Sequence, residues 1–236
     1  MNHEPLIICT HGLRNQPLEI EASYKSILYP KTETEIQFFR WDHLLNRGLP
    51  SQIGSQAEKA SFLLPPPWNV IAYPIADKVG DFVGDYFSYE GQREKTFVHL
   101  NQFIRKADPS GQRPLILIGH SMGSILFYEF ICYLQNFHPS KEPLMNIHSL
   151  ITLGSPIDRK PVRNKVLTYV KGIKRPNVKL WKNYHNKFDF VTDWIPFLTG
   201  DIEHFSPDVQ VSNGGGHNAL RYLAHIDPKD LTITGS

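Results

Sequence analysis

Residues 114–128 read PLILIGHSMGSILFY, and this stretch predicts a buried strand, a sharp turn and a helix in direct succession. The four apolar residues at 115–118 are typical of a parallel strand that is covered on both faces. Ser121 lies at the turn, between Gly119 and Gly123, in the pattern G-x-S-x-G. The two glycines leave room where the strand and the helix backbone cross. We therefore expect the Ser121 hydroxyl to project from the end of the strand as a nucleophile.

The helix after this turn directs its first backbone N–H groups toward Ser121. These groups have no carbonyl partner within the helix, and the helix dipole adds to their preference for negative charge. The Met122 N–H is therefore a candidate donor to an oxyanion. The alternative is that Ser121 has only a structural role in the turn. The strand pattern before the motif and the helix pattern after it disfavour that alternative.

The rest of the chain alternates between short apolar runs and helix-compatible segments. Strands are predicted at 6–10, 35–41, 114–118, 147–153, 177–184 and 208–211, and helices at 18–29, 74–87, 91–107, 124–137, 162–170 and 219–225. This alternation predicts an α/β fold with a mostly parallel central sheet and helices on both faces. A length of 236 residues suits a single domain over 1–236.

Composition is ordinary for a globular protein, with 41% hydrophobic and 20% charged residues. No apolar run approaches the roughly 20 residues that span a bilayer, and no secretory segment is visible. Cys9 and Cys132 each lie within an apolar run, which predicts buried thiols and fits a reducing compartment. We therefore expect a cytoplasmic protein without a transmembrane segment.

Other chemistries lack their motifs. The sequence has no G-x-x-x-x-G-K-[ST], no H-E-x-x-H and no paired C-x-x-C, so nucleotide and metal sites are not predicted. His185 and Asp189 could be drawn as a metal pair, but two ligands do not make a site. We expect no cofactor, no metal and no nucleic-acid partner.

Charge is unevenly distributed along the chain. Between Arg159 and Lys187 the sequence has ten basic residues and no acidic residue, while the remainder has 15 basic and 23 acidic residues. This basic stretch, 159–187, could place a positive face against an anionic lipid surface or a phosphorylated substrate. The favoured interpretation is a solvated connection between core elements.

The segment 42–73 is irregular and yet apolar. Glycines and the run Pro65-Pro66-Pro67 interrupt any regular pattern, whereas leucines, Phe62 and Trp68 keep the segment hydrophobic. Long connections of this kind are uncommon in compact domains. Two interpretations remain open: a cap or lid over an acyl pocket, or a loop packed on the edge of the domain.

With these features, the chain resembles the α/β-hydrolase superfamily, and in particular its lipase and serine-esterase branch. The likeness extends from Leu6 to about Leu223. It rests on the elbow at 119–123, His11-Gly12 after the first strand, Leu153-Gly154-Ser155-Pro156 at a later strand end, and two late segments around Asp189 and His217. The resemblance implies a serine hydrolase whose nucleophile, acid and base follow one another in that order.

The resemblance also implies roles for particular residues. His11 and Gly12 would form an oxyanion loop that helps to bind the substrate, with the Leu13 N–H as a second oxyanion donor beside that of Met122. His120, inside the elbow, would pack beside the serine as part of the substrate site.

A serine needs a base, and the base needs an acid to orient it. His217 follows a glycine-rich loop after the last strand, where the family keeps its catalytic histidine. The segment 183–191 resembles the loop after a strand that carries the family's catalytic acid, so Asp189 is the first candidate for the acid, and Asp193 and Asp158 remain alternatives.

The implied activity is hydrolysis of a carboxylic ester, with a small-molecule ester or a lipid as substrate. A thioesterase or an acyltransferase would use the same residues, and a non-catalytic binding protein on this scaffold is the alternative from another class. The family's usual N-terminal strands lack counterparts here, so we expect that sheet edge to need protection, for example in a homodimer.

Overall fold

Six strands form one sheet in the part of the chain that the structure describes. This computed structural model describes residues 4–12, 17–44, 89–137, 145–173, 175–186, 189, 191, 208–212 and 216–233. The strands are β1 (Leu6–Thr10), β2 (Glu35–Phe39), β3 (Leu115–His120), β4 (Ile147–Leu153), β5 (Leu180–His185) and β6 (Asp208–Gln210). They lie in the order β2-β1-β3-β4-β5-β6, and every neighbouring pair is parallel. The predicted α/β fold with a mostly parallel sheet is confirmed.

Helices connect these strands. They are α1 (Pro17–Leu28), α2 (Arg93–Ala107), α3 (Met122–Phe137), α4 (Lys160–Tyr169) and α5 (Ala219–His225), with short 3-10 helices at Tyr29–Lys31, Asp42–Leu44, Pro156–Asp158 and Pro228–Leu231. Helix α3 begins at Met122, two residues earlier than predicted, because it starts directly at the turn that holds Ser121. The helix predicted at 74–87 lies outside the described residues.

Strand β5 begins three residues later than predicted. The Val178 N–H donates to the Pro176 carbonyl at 2.9 Å, which closes a tight turn ahead of the strand. The prediction placed residues 177–179 in the strand on apolar alternation alone, and this local turn outweighed the pattern.

Apolar side chains cover both faces of the sheet. On one face, α1 and α5 pack with alternate strand residues into a single buried cluster that includes Ile7, Ile116 and Ile151. On the other face, α3 contacts β3 and β4 with an almost wholly buried helix. Burial on both faces explains why the central strands β1 and β3 are near-continuous apolar runs.

Internal contacts divide the chain into two units, Met1–Arg40 with Leu100–Ser236, and Trp41–His99. The first unit contains the sheet. In the second, the Trp41 and Tyr89 rings meet edge to face with centroids 5.4 Å apart. The single domain with a cap stays a prediction, because residues 45–73 of that segment lie outside the described residues.

The order of the strands defines where a ligand can bind. From β1 the chain moves outward to β2, and it then returns to β3 on the other side of β1. The loops that follow β1 and β3 therefore leave the sheet in opposite directions and open a crevice between the carboxyl ends of these strands. In open α/β sheets ligands bind at such a switch point.

Candidate functional site

The sequence-predicted site residues that the structure describes lie at or just after the carboxyl ends of the strands, and His120 is the last residue of β3. His11 and Gly12 come after β1, Ser121 after β3, Asp189 after β5 and His217 after β6. Because the strands are parallel, these ends lie at one edge of the sheet. Leu13, the predicted second oxyanion donor, lies outside the described residues.

Ser121 occupies the turn between β3 and α3 in a left-handed backbone conformation, with φ of +56°. This conformation costs about 1–3 kcal/mol in a residue with a side chain and persists only where the surroundings enforce it. The Ser121 N–H donates to the Leu153 carbonyl at 2.9 Å, and its own carbonyl accepts from the Ser124 N–H at 3.0 Å. A Cβ at Gly119 would lie 2.5 Å from the Gly123 carbonyl oxygen, so the strand and helix cross too closely for any side chain there.

Gly12 lies directly against the candidate nucleophile. A Cβ at this position would come within 2.8 Å of the Ser121 Cβ and 3.0 Å of its Oγ. The same point is 3.4 Å from the Met122 nitrogen, the first of α3. The backbone of the β1 loop and the N-terminus of α3 therefore border the same small space beside the serine hydroxyl, where an acyl carbonyl oxygen would find N–H donors.

His217 and Asp189 form a hydrogen-bonded pair, with 2.8 Å between His217 Nδ1 and Asp189 Oδ2. Asp189 is completely buried, and its Oδ1 also accepts from the Val191 N–H at 2.8 Å. A carboxylate has no proton to give, so we assign the His217 proton to Nδ1. The neutral ring then has its lone pair on Nε2 and can act as a base there.

A second donor reaches the same carboxylate oxygen. The Tyr222 hydroxyl donates to Asp189 Oδ2 at 2.6 Å, and Tyr222 is completely buried. Sequence reasoning did not nominate this residue, since its only signal was a position on the core face of the short helix after His217.

Three histidine rings are in contact at the site, with their planes tilted by 49° and 33° to one another. The His120 centroid lies 4.6 Å from that of His11 and 4.5 Å from that of His217. Burial lowers the pKa of His11 to about 4, although the hydrogen bond to the Gly12 carbonyl opposes this effect. Burial, with the neighbouring His217 and His11, holds the pKa of His120 well below its usual range. His11 and His120 are therefore uncharged at neutral pH.

The rival acids are less well situated or lie outside the described residues. Asp158 is buried in the short helix after β4, while the His217 Nδ1 hydrogen bond goes to Asp189. Asp193 lies outside the described residues. His225, at the end of α5, is exposed, and His185 is the last residue of β5.

The basic stretch 159–187 is only partly available to a ligand. Arg159 and Arg163 are buried, and the Arg159 Nε donates to the Val191 carbonyl at 3.0 Å. Lys182 pairs with Asp230 at 2.7 Å. The exposed cations among the described residues of the stretch are Lys171, Arg175 and Lys179. Binding to an anionic lipid surface stays a prediction.

The described residues include neither a membrane-spanning helix nor a metal-binding cluster. None of their helices is long and apolar enough to cross a membrane. They contain no group of three or more His, Cys, Asp or Glu side chains that could hold a metal ion.

Known structures share the fold at low sequence identity. Est1E from Butyrivibrio proteoclasticus, solved with ferulic acid bound, is 11% identical with a TM-score of 0.50, and the match covers 98% of this chain and 89% of that one. An esterase domain of a Rhodothermus marinus protein is 12% identical with a TM-score of 0.44, over 96% and 88% of the two chains. No curated protein matches the chain.

A family profile gives the stronger result. The profile of the lecithin:cholesterol acyltransferase family matches residues 85–213, which is more than half of the chain and includes both Ser121 and Asp189. This match confirms the resemblance to the α/β-hydrolase superfamily. The chain thus belongs to the lecithin:cholesterol acyltransferase family, a lipase-type family with the α/β-hydrolase fold.

Proposed function

We propose that this protein hydrolyses a carboxylic ester by nucleophilic catalysis, with Ser121 as nucleophile, His217 as base and Asp189 as the acid that orients it. The observation that carries this proposal is the 2.8 Å hydrogen bond between His217 Nδ1 and the buried Asp189, at the strand edge where Ser121 occupies its strained turn. The family match supports chemistry on an acyl group.

In the first half of the reaction, Ser121 Oγ attacks the acyl carbonyl carbon while His217 Nε2 takes the hydroxyl proton. The carbonyl π electrons move onto oxygen, and the Met122 and Leu13 N–H groups stabilise the resulting oxyanion. The imidazolium is stabilised by Asp189, which accepts the Nδ1 proton in a hydrogen bond. When the oxyanion collapses, the C–O bond to the alcohol breaks and His217 returns its proton to the leaving alkoxide.

In the second half, His217 takes a proton from water, and the hydroxide oxygen attacks the acyl-enzyme. The tetrahedral intermediate expels Ser121 Oγ, which receives the proton from His217. The products are a carboxylic acid and an alcohol, and the enzyme regains its starting protonation state.

Acyl transfer is a second candidate, and the family match favours it specifically. In the second half of the reaction, an acceptor alcohol would attack the acyl-enzyme in place of water. The product would be a new ester. The discriminating experiment supplies a labelled ester with increasing concentrations of a long-chain alcohol. A transferase yields the new ester in proportion to the alcohol, whereas a hydrolase yields the free acid throughout.

Lipid esters are the narrower substrate proposal, supported by the family match and by the apolar composition of segment 42–73, our candidate for a cap. A series of p-nitrophenyl esters of increasing chain length tests it. Efficient turnover of short esters with none of long-chain or anionic lipid esters would exclude lipids as substrates.

A fluorophosphonate probe tests the mechanism itself, because it phosphonylates activated serines. We expect the wild-type protein to be labelled and Ser121→Ala to remain unlabelled. Ser26→Ala, which removes an exposed hydroxyl on α1, is the matched control and should be labelled like the wild type. Labelling that persists in Ser121→Ala would exclude this serine as the nucleophile, and an unlabelled wild type would favour a binding protein.

A further inference from the structure

The Asp189 carboxylate has a buried partner besides the histidine. Its Oδ2 accepts from the Tyr222 hydroxyl at 2.6 Å and from His217 Nδ1 at 2.8 Å, so the two donors share one oxygen. Its Oδ1 accepts from the Val191 N–H at 2.8 Å. Asp189 and Tyr222 are both completely buried, which makes each of these hydrogen bonds electrostatically stronger than it would be in water.

Local structure fixes the position of Tyr222 relative to His217. Helix α5 begins two residues after His217, and the Asn218 side chain caps it by accepting from the Leu220 N–H at 2.9 Å. At its other end, Lys31 Nζ donates to the carbonyls of Leu223, Ala224 and Ile226. The tyrosine therefore has little freedom to move relative to the histidine.

We infer that Tyr222 is a positioning residue for the base: its hydroxyl fixes the Asp189 carboxylate in the orientation that His217 requires and takes up part of the carboxylate's negative charge. The inference rests on the proposed function. Tyr222 need not touch the substrate, because it acts through Asp189.

Two consequences follow from removing the hydroxyl. The carboxylate loses one of its fixed contacts, so His217 is less well oriented toward Ser121, and misplacement of a catalytic group by about 1 Å can cost on the order of 100-fold in rate. The charge on Oδ2 also becomes less dispersed, so it stabilises the imidazolium form of His217 more strongly.

The charged and titratable groups that face His217 among the described residues are Asp189, Tyr222, His120 and His11. Burial keeps His11 and His120 neutral near pH 7 by lowering the pKa of each. Among these described groups, the Asp189 carboxylate, as modulated by Tyr222, is therefore the charge next to the base.

The test compares Tyr222→Phe with Tyr184→Phe. Tyr184 is a matched control, because it is also buried and its hydroxyl also donates to a buried carboxylate, Asp230, at 2.9 Å. Both variants should lose similar thermal stability. Only Tyr222→Phe should lower kcat, by about 10- to 100-fold with little change in KM, and move the acid limb of the pH–kcat/KM profile upward by about half a unit or more.

Equal kcat and superimposable pH profiles in the two variants would overturn the inference and leave Tyr222 with a structural role. If Tyr222→Phe does not fold, replacing Tyr222 by 3-fluorotyrosine gives a side chain of similar size and a stronger donor. The acid limb should then move downward, and an unchanged or upward-shifted limb would also overturn the inference.

The same experiment separates this inference from the proposed function. Activity that survives Ser121→Ala refutes the proposed function and, with it, the inference. Activity that is abolished in Ser121→Ala but complete and unshifted in Tyr222→Phe refutes the inference alone.

Discussion

The rings of His120 and His217 are in contact, with their centroids 4.5 Å apart and their planes tilted by 33°. His120 is 1% exposed, and neither of its ring nitrogens has a hydrogen-bond partner within the described part of the chain. Burying such groups without partners carries a free-energy cost. The ring as an apolar surface, and not its nitrogens, is therefore what His120 offers to the proposed base.

Replacing His120 tests this relationship directly. His120→Phe keeps a ring against His217 and removes two polar atoms without partners, so we expect kcat within about threefold of wild type and equal or greater thermal stability. His120→Ala removes the support and should lower kcat by about 10- to 100-fold. Steady-state kinetics and thermal unfolding measure both effects, and equal kcat values in the two variants would contradict the prediction.

The buried histidines predict that stability declines in acid. The pKa of His11 is lowered from 6.5 to about 4 by burial, and that of His120 is also lowered. Between these values the unfolded chain binds protons that the folded chain does not. The free energy of unfolding therefore does not depend on these two histidines above about pH 6.5. As the pH falls below that value, it decreases by about 1.4 kcal/mol per pH unit for each histidine.

Urea unfolding at about pH 7 and about pH 5 measures this loss. In His120→Phe the free energy of unfolding should depend less steeply on pH, because one of the two groups is gone. An unchanged dependence would show that His120 is not held neutral in the folded protein.

Gly12→Ala should inactivate the enzyme. The added Cβ would lie 2.8 Å from the Ser121 Cβ and 3.0 Å from its Oγ, so either the serine or the oxyanion loop must move. We expect kcat/KM to fall by about 100-fold or more. Gly172→Ala is the control, because it strains a backbone with φ of +79° but places its Cβ in open space. Gly172→Ala should lower thermal stability without lowering activity. Equal losses of activity in the two variants would refute the assignment of Gly12 to the oxyanion loop beside Ser121.

Asparagine substitutions identify the acid. Asp189→Asn keeps the shape of the side chain but removes the charge that stabilises the imidazolium, so kcat should fall by about 10⁴-fold. Asp193→Asn and Asp158→Asn should each retain activity within about tenfold of wild type. If kcat fell by several orders of magnitude in Asp193→Asn or Asp158→Asn while Asp189→Asn stayed active, the replaced aspartate would be the catalytic acid and Asp189 would not.

Much of the fold could be predicted from local sequence. Residues 115–118 are all apolar because β3 is covered on both faces, and the motif around Ser121 specifies the turn and the helix. The start of β5 could not be predicted in this way, because the turn at Pro176 and Val178 competes with the apolar alternation. Which strands are neighbours also depends on the crossovers, which join residues far apart in the chain.

The sequence by itself determined most of the described strands and helices, the parallel sheet and the candidate Ser121, since each follows from a pattern of neighbouring residues, while Asp189 and His217 were implied by the family resemblance. Only the tertiary structure decided which side chains meet. It paired His217 with Asp189, added Tyr222 to the same carboxylate oxygen and placed the His120 ring in contact with the rings of two other histidines. The physical reason is that a parallel sheet collects the ends of distant strands at one edge, where separation along the chain no longer predicts distance.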